Sequence, residues 1–212
     1  EDELYRYSVT TPVVLLGERV VGRYFDHIMI DNVAAARMIT EHLLELGRRR
    51  IAIMPMAYDH PSSLFHMRYQ GYAEALGQAG VVFDPQLVVS PRHTVSLSHR
   101  DGMDCMEQLL ERDAKPDAIF CFNDLVALGA LKILAQRGYR VPDDIAVAGF
   151  DNITQSYLTV PALTTVAPDK KAIGRLAVSL LIDRIRGKRL GPPEQFTPGF
   201  NLVVRGTTVA NC

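Results

Sequence analysis

Few features of this sequence belong to catalysis, secretion or membrane insertion. Three cysteines, Cys105, Cys121 and Cys212, occur among 212 residues, and their spacing matches neither a zinc site nor a redox motif. An odd count without a disulfide framework fits a reduced, cytoplasmic compartment. No apolar run approaches the roughly 20 residues that a membrane-spanning helix needs. The opening Glu1-Asp2-Glu3-Leu4 has neither the basic nor the apolar region of a signal peptide. Six histidines, His27, His42, His60, His66, His93 and His99, never fall into a metal-ligand spacing such as H-E-x-x-H. A G-x-S-x-G elbow and a glycine-rich phosphate loop are also missing. Asp143-Asp144 beside Pro142 reads as a turn, not as an acid/base pair. No catalytic residue, metal or cofactor is expected.

Basic excess is absent too. The net charge is −1, whereas a nucleic-acid surface concentrates positive charge on one face. Arg48-Arg49-Arg50 is the one dense basic run, and its place between a helix and a strand reads as a solvated turn.

What is present is 48% hydrophobic residues, enough for a substantial core, arranged as short apolar runs alternating with amphipathic segments. That alternation is the pattern of parallel βαβ units, hence an α/β fold. Strands are expected at Val13–Leu16, Ile28–Ile30, Ile51–Met54, Leu87–Val89, Ala118–Phe122 and Ile145–Ala148. Edge strands are expected at Phe196 and Leu202–Val204. Helices are expected over about 34–46, 65–79, 102–112, 124–137 and 170–186, with Gly47, Gly80, Gly138 and Gly187 ending four of them. Cys121, inside an apolar strand, reads as a small buried hydrophobe.

Ligands of open parallel sheets lie beyond the carboxyl ends of the strands. Two strands end in polar residues that burial does not explain. Ala118–Phe122 runs into Asn123-Asp124, and the strand from Ile145 runs through Phe150 into Asp151-Asn152. If the two are neighbours, Asn123 and Asp151 share one crevice. Asn123 could equally cap the following helix, the two roles being compatible, and Asp151 could be a turn residue. Arg68 lies early in the helix after Ile51–Met54, on the same side. Alone it could be a surface charge, but its planar five-donor fork opposite a carboxylate and a carboxamide suits a polyhydroxylated ligand.

Several ordered stretches carry a resemblance. Pro116-Asp117-Ala118-Ile119-Phe120-Cys121-Phe122-Asn123-Asp124-Leu125-Val126-Ala127-Leu128-Gly129-Ala130 resembles the most distinctive segment of the lactose-repressor (LacI) family. Val141-Pro142-Asp143-Asp144-Ile145-Ala146-Val147-Ala148-Gly149-Phe150-Asp151-Asn152 does likewise, followed by Pro161-Ala162-Leu163-Thr164-Thr165-Val166. Arg68-Tyr69-Gln70-Gly71-Tyr72 matches the family's R-x-x-G-aromatic element, and Asp31-Asn32 and Glu41-His42-Leu43 also fit. The resemblance spans essentially the whole chain.

It implies a type I periplasmic-binding-protein-like core of two lobes, parallel sheets flanked by helices, with a small-molecule effector between them. Residues 30–166 and 199–212 would form the C-terminal lobe. Residues 1–29 and 167–198 would form the remnant of an incomplete N-terminal lobe. The operator-binding helix-turn-helix headpiece and hinge helix of family members have no counterpart in this sequence. By resemblance, Arg68, Asn123 and Asp151 occupy effector-bonding positions, with Ser62 and Phe150 as pocket wall. Leu97 falls near a position where many members stack an aromatic side chain on a sugar ring, and Leu is a departure there. The expected effector is a sugar or sugar derivative, although purines also occur in the family. A homodimer is expected through the helix after Asn123 and the loop before Leu163, where Leu125, Leu128, Leu131 and Leu134 exceed one core face or else are simply core. The rival reading is a periplasmic sugar-binding protein of an ABC transporter, which shares the fold. The three cysteines and the Val141–Asn152 segment speak against it.

Overall fold

A computed structural model describes residues 6, 11–17, 24–54, 64–92 and 98–209. Among these, two sheets are seen. The smaller has three parallel strands in the order β1-β2-β7: β1 (Val14–Leu16), β2 (Asp26–Ile28) and β7 (Gln195–Phe196). The larger has five, in the order β3-β4-β5-β6-β8: β3 (Ile51–Met54), β4 (Ala118–Cys121), β5 (Ala146–Phe150), β6 (Thr164–Pro168) and β8 (Phe200–Val203). All neighbours in it are parallel except β8, which closes the edge antiparallel to β6.

Successive strand residues face opposite ways, so this sheet carries two cores. Ile51, Ile53, Phe120, Phe122, Ala148 and Phe150 pack beneath α1 (Asn32–Glu45) and α2 (Leu64–Gln78). Ala52, Met54, Ile119, Cys121 and Val147 pack beneath α3 (His99–Glu111) and α4 (Asp124–Gln136). A short α5 (Thr154–Leu158) follows β5, and α6 (Lys170–Ile185) lies against β1 and β2. Burial on both faces is the usual condition of a parallel sheet and explains its near-continuous apolar strands. Gly47, Gly80, Gly138 and Gly187 all take the left-handed conformation expected past a helix end.

Some expectations are corrected. The strand placed at Ile28–Ile30 begins two residues earlier. Asp26 belongs to it because its buried carboxylate is held by Arg184 at 2.8 and 3.0 Å and by the Glu194 N–H at 2.9 Å, which an apolar pattern cannot register. Leu87–Val89 is not a strand. Pro85 opens a 3-10 turn ending at Leu87, and pairing shrinks to a single bridge between Ile53 and Val88. The strand expected at Ile145–Ala148 runs instead over Ala146–Phe150, and β6 and α5 were not foreseen. Arg48-Arg49-Arg50 is more than a solvated turn. Asp117 accepts from the Arg49 and Arg50 N–H groups at 2.7 and 3.0 Å, and Arg48 donates to the Pro142 carbonyl at 2.6 Å. The run ties loops together at the amino ends of the strands, away from the site.

Candidate functional site

β4 lies between β3 and β5, so three neighbouring strands deliver their carboxyl ends to one edge. Arg68 approaches from the second turn of α2, after β3. Phe122 and Asn123 follow β4. Asp151 follows Phe150 at the end of β5.

Arg68 is 5% exposed, and a guanidinium so buried requires acceptors. Its Nε donates to Asn32 Oδ1 at 2.9 Å, and one Nη donates to the Phe122 carbonyl. Asn32, itself buried, turns its amide to the Ile30 carbonyl at 3.1 Å. The guanidinium carbon stands 3.5 Å above the centroid of the Phe150 ring, a cation–π contact of about 2 kcal/mol when desolvated. Beneath it Phe122 stacks on Phe65, with centroids 6.4 Å apart and planes 8° apart. The fork is thereby fixed in place and orientation.

Asn123 caps α4: its Oδ1 accepts from the Val126 N–H at 2.8 Å, the capping alternative seen in the sequence. Asp151 is partly exposed and has φ +106°, and Asn152 follows at φ +48°. Non-glycine residues rarely enter that region. The Asp151 N–H donates to the Val166 carbonyl at 2.9 Å, which anchors it to β6. Arg68 and Phe150 are thus brought into contact, with Asn123 and Asp151 each one residue beyond groups that touch Arg68. Phe150 is fully buried beneath the guanidinium. Ser62 and Leu97 lie outside the described residues.

Three supporting residues were not picked out as such from the sequence. Asn32 holds Arg68. Arg205 donates to the Leu163 carbonyl and to Asn152 Oδ1 at 2.7 and 2.8 Å. Asp124 is fully buried; burial pushes its carboxyl above the ordinary range against the opposing pull of its hydrogen-bond donors. Asn32 and Asp124 stood in quoted motifs, and Arg205 in none. Among the described residues no group of histidine, cysteine and carboxylate side chains could hold a metal ion. No helix there is long and apolar enough to cross a membrane.

A profile for a periplasmic binding protein-like domain matches residues 40–208. The chain is 35% identical over 199 residues to the HTH-type transcriptional repressor CytR of Escherichia coli (strain K12), covering 94% of this chain and 56% of CytR. It therefore spans little more than half of that repressor's length. A LacI-type transcription regulator from Bifidobacterium animalis subsp. lactis has a similar structure, with a TM-score of 0.86 at 33% identity, covering 93% of this chain and 72% of that one. The transcriptional regulator CelR, in its cellobiose complex, gives a TM-score of 0.84 at 31% identity, covering 97% and 69%. By the profile, the structures and the motifs around Arg68, Asn123 and Asp151, the chain belongs to the LacI family of transcriptional regulators and forms their periplasmic-binding-protein-like domain.

Proposed function

We propose that this chain is the effector-sensing core of a cytoplasmic, LacI-type DNA-binding regulator, and that a saccharide bound at the strand ends modulates operator binding. The observation that carries the reading is the buried guanidinium of Arg68, braced by Asn32, the Phe122 carbonyl and the Phe150 ring at the carboxyl ends of β3, β4 and β5. In this reading Asn123 and Asp151, each one residue past a group that touches Arg68, supply the further polar contacts that vicinal hydroxyls require. That CelR is described as a cellobiose complex favours a sugar over a purine. Cellobiose itself is not assigned.

The reading places residues 1–29 and 167–198 in one lobe and 30–166 and 199–212 in the other. It is supported by the membership of β1, β2 and β7 in one sheet and of β3 to β6 and β8 in the second, with β6 carrying the second sheet two residues past that boundary, to Pro168. Ligand that binds one lobe orientation better biases a two-state equilibrium. Moving that equilibrium from 1:99 to 99:1 takes about 5.5 kcal/mol of differential binding, within reach of a few charge-assisted hydrogen bonds at about 1.5–3 kcal/mol each. A homodimer through α4 carries the change to operator DNA. Leu125 is exposed and Leu128 and Leu131 are half-buried, while Leu134 is core. No catalytic step, metal or cofactor enters this function.

The test is a thermal-shift and calorimetric screen with cellobiose, glucose, ribose, their phosphates and nucleosides. At least one saccharide is expected to raise the melting temperature, and Arg68→Met should bind it at least about tenfold more weakly. A screen in which no saccharide binds, or an Arg68→Met protein that binds equally well, defeats the reading. Operator affinity of the full-length regulator that does not respond to the bound saccharide defeats the switch.

A further inference from the structure

A second polar centre lies just inside the strand ends. Asp124 Oδ2 accepts from the Ile153 N–H at 2.9 Å and from the Ser156 hydroxyl at 2.5 Å, and Oδ1 accepts from the Thr165 hydroxyl at 2.6 Å. Asp124, Ser156 and Thr165 are all fully buried. The three donors come from the loop after β5, from α5 and from β6, so one carboxylate at the head of α4 gathers three other segments. Room for it exists because residue 149 is glycine: a Cβ there would lie 2.3 Å from Asp124 Oδ1. Thr165 Oγ1 also accepts the Asn152 N–H at 3.2 Å, which extends the clamp to the left-handed pair Asp151-Asn152.

We propose that Asp124 is the positioning residue of the effector site, clamping the 151–156 loop to the first turn of α4 and so fixing Asn123 and Asp151 relative to each other. The functional consequence rests on the effector reading above, while the clamp itself does not. An asparagine substitutes only in part. With its Oδ1 toward Ile153 and Ser156, its Nδ2 faces the Thr165 hydroxyl and reverses that bond. All three contacts also lose the charge assistance of a carboxylate. Through Ser156 the same carboxylate reaches α5, whose Tyr157 and Leu158 are 69% exposed.

Two readouts on Asp124→Asn test this. In unliganded protein, hydrogen exchange at the Ile153 amide and across 151–156 should accelerate at least about tenfold, with the interior of β4 and β5 unchanged. For whichever saccharide of the panel binds, affinity should fall about 10- to 100-fold, although Asp124 is not offered as a ligand contact. Thr165→Val, which removes one donor from the far side, should show the same exchange pattern more weakly and should not add to Asp124→Asn; it also serves should the first variant fail to fold. Unchanged exchange in the loop, acceleration spread evenly over the sheet, or undiminished affinity overturns the proposal. If no saccharide binds even the unmodified protein, the effector reading falls while the exchange result still decides the clamp.

Discussion

Helices α3 and α4 approach each other backbone to backbone, and the approach is set by two glycines. A Cβ on Gly102 would lie 2.0 Å from the Val126 carbonyl oxygen, and one on Gly129 would lie 2.0 Å from that of His99. Ordinary contact starts near 3.4 Å, so either alanine forces the helices apart by more than an ångström in a core packed as densely as an organic crystal. Because the atoms struck are main-chain, no rotamer change relieves the clash, which puts the cost near the upper end of overpacking, about 3 kcal/mol. Better helix propensity returns about 1 kcal/mol, leaving a net loss of about 2 kcal/mol. For a chain of this size that lowers the melting temperature by about 4–8 °C. Gly77 and Gly174 supply the contrast, since nothing lies within 4 Å of a Cβ at either. There alanine should raise stability by about 0.5–1 kcal/mol. Thermal melts by circular dichroism of Gly102→Ala, Gly129→Ala, Gly77→Ala and Gly174→Ala read all four at once. The packing account is refuted if Gly102→Ala melts at or above the unmodified protein. Because Asn123 caps α4, a folded Gly129→Ala protein should also bind its saccharide more weakly.

Two further outcomes concern the smaller sheet and the helix side of the larger one. Burial works against the ionised form of Asp26, yet hydrogen bonds from Arg184 and the Glu194 N–H, together with the Arg189 charge, hold its carboxyl below the usual range. The stability it contributes is present above about pH 3.9 and is lost as pH falls through the depressed folded value. Asp26→Asn should cost about 3 kcal/mol at neutral pH in chemical denaturation, since it leaves the Arg184 guanidinium partly buried without its partner. An unchanged midpoint sinks this account. His42 bonds Thr208 Oγ1 at 3.0 Å, and burial pulls its imidazole below the ordinary value against the pull of Glu45. Its contribution is complete above about pH 6.5 and declines as pH falls below that, because the unfolded chain takes up the proton first. His42→Gln should flatten the melting temperature between pH 6.5 and 5; a slope equal to that of the unmodified protein contradicts it.

Strands β3, β4 and β5 of the larger sheet were legible because they are buried on both faces and read as unbroken apolar runs such as Ala118–Phe122, whereas Thr164 and Thr165 break that pattern in β6. Charged strand residues were not legible either. Asp26 looks like loop until Arg184, 158 positions away, is seen to neutralise it. The site divides in the same way. Asn123 and Asp151 could be named because each stands where a strand pattern gives way to an unexplained polar group, and Arg68 because it lies early in the helix after β3, on the same side of the sheet. Asn32 and Asp124 could not, since their partners lie 36, 29, 32 and 41 residues distant, and no local period records such a contact. Asn123 was read both as cap and as ligand contact, and the geometry gives its Oδ1 to the cap.

Asp151 offers the sharpest separation of stability from recognition. Its φ of +106° and that of Asn152 at +48° are held by the bond from Asp151 N–H to the Val166 carbonyl, by Arg205 and by Lys170 Nζ at 3.3 Å from the Asn152 carbonyl. Strained positions of this kind cost about 1–3 kcal/mol each and persist where surrounding structure dictates them. Glycine meets no such penalty. Asp151→Gly should therefore melt higher, by up to about 2–4 °C for each kcal/mol relieved, while saccharide affinity falls at least about tenfold because the carboxylate is gone. Asp151→Asn keeps the backbone strain and a polar head, so its melting temperature should stay near that of the unmodified protein, with an intermediate affinity. If Asp151→Gly gains no stability, the turn is not strained. If it gains stability and binds saccharide undiminished, the carboxylate takes no part in recognition, and the left-handed turn serves only to carry the chain from β5 into α5.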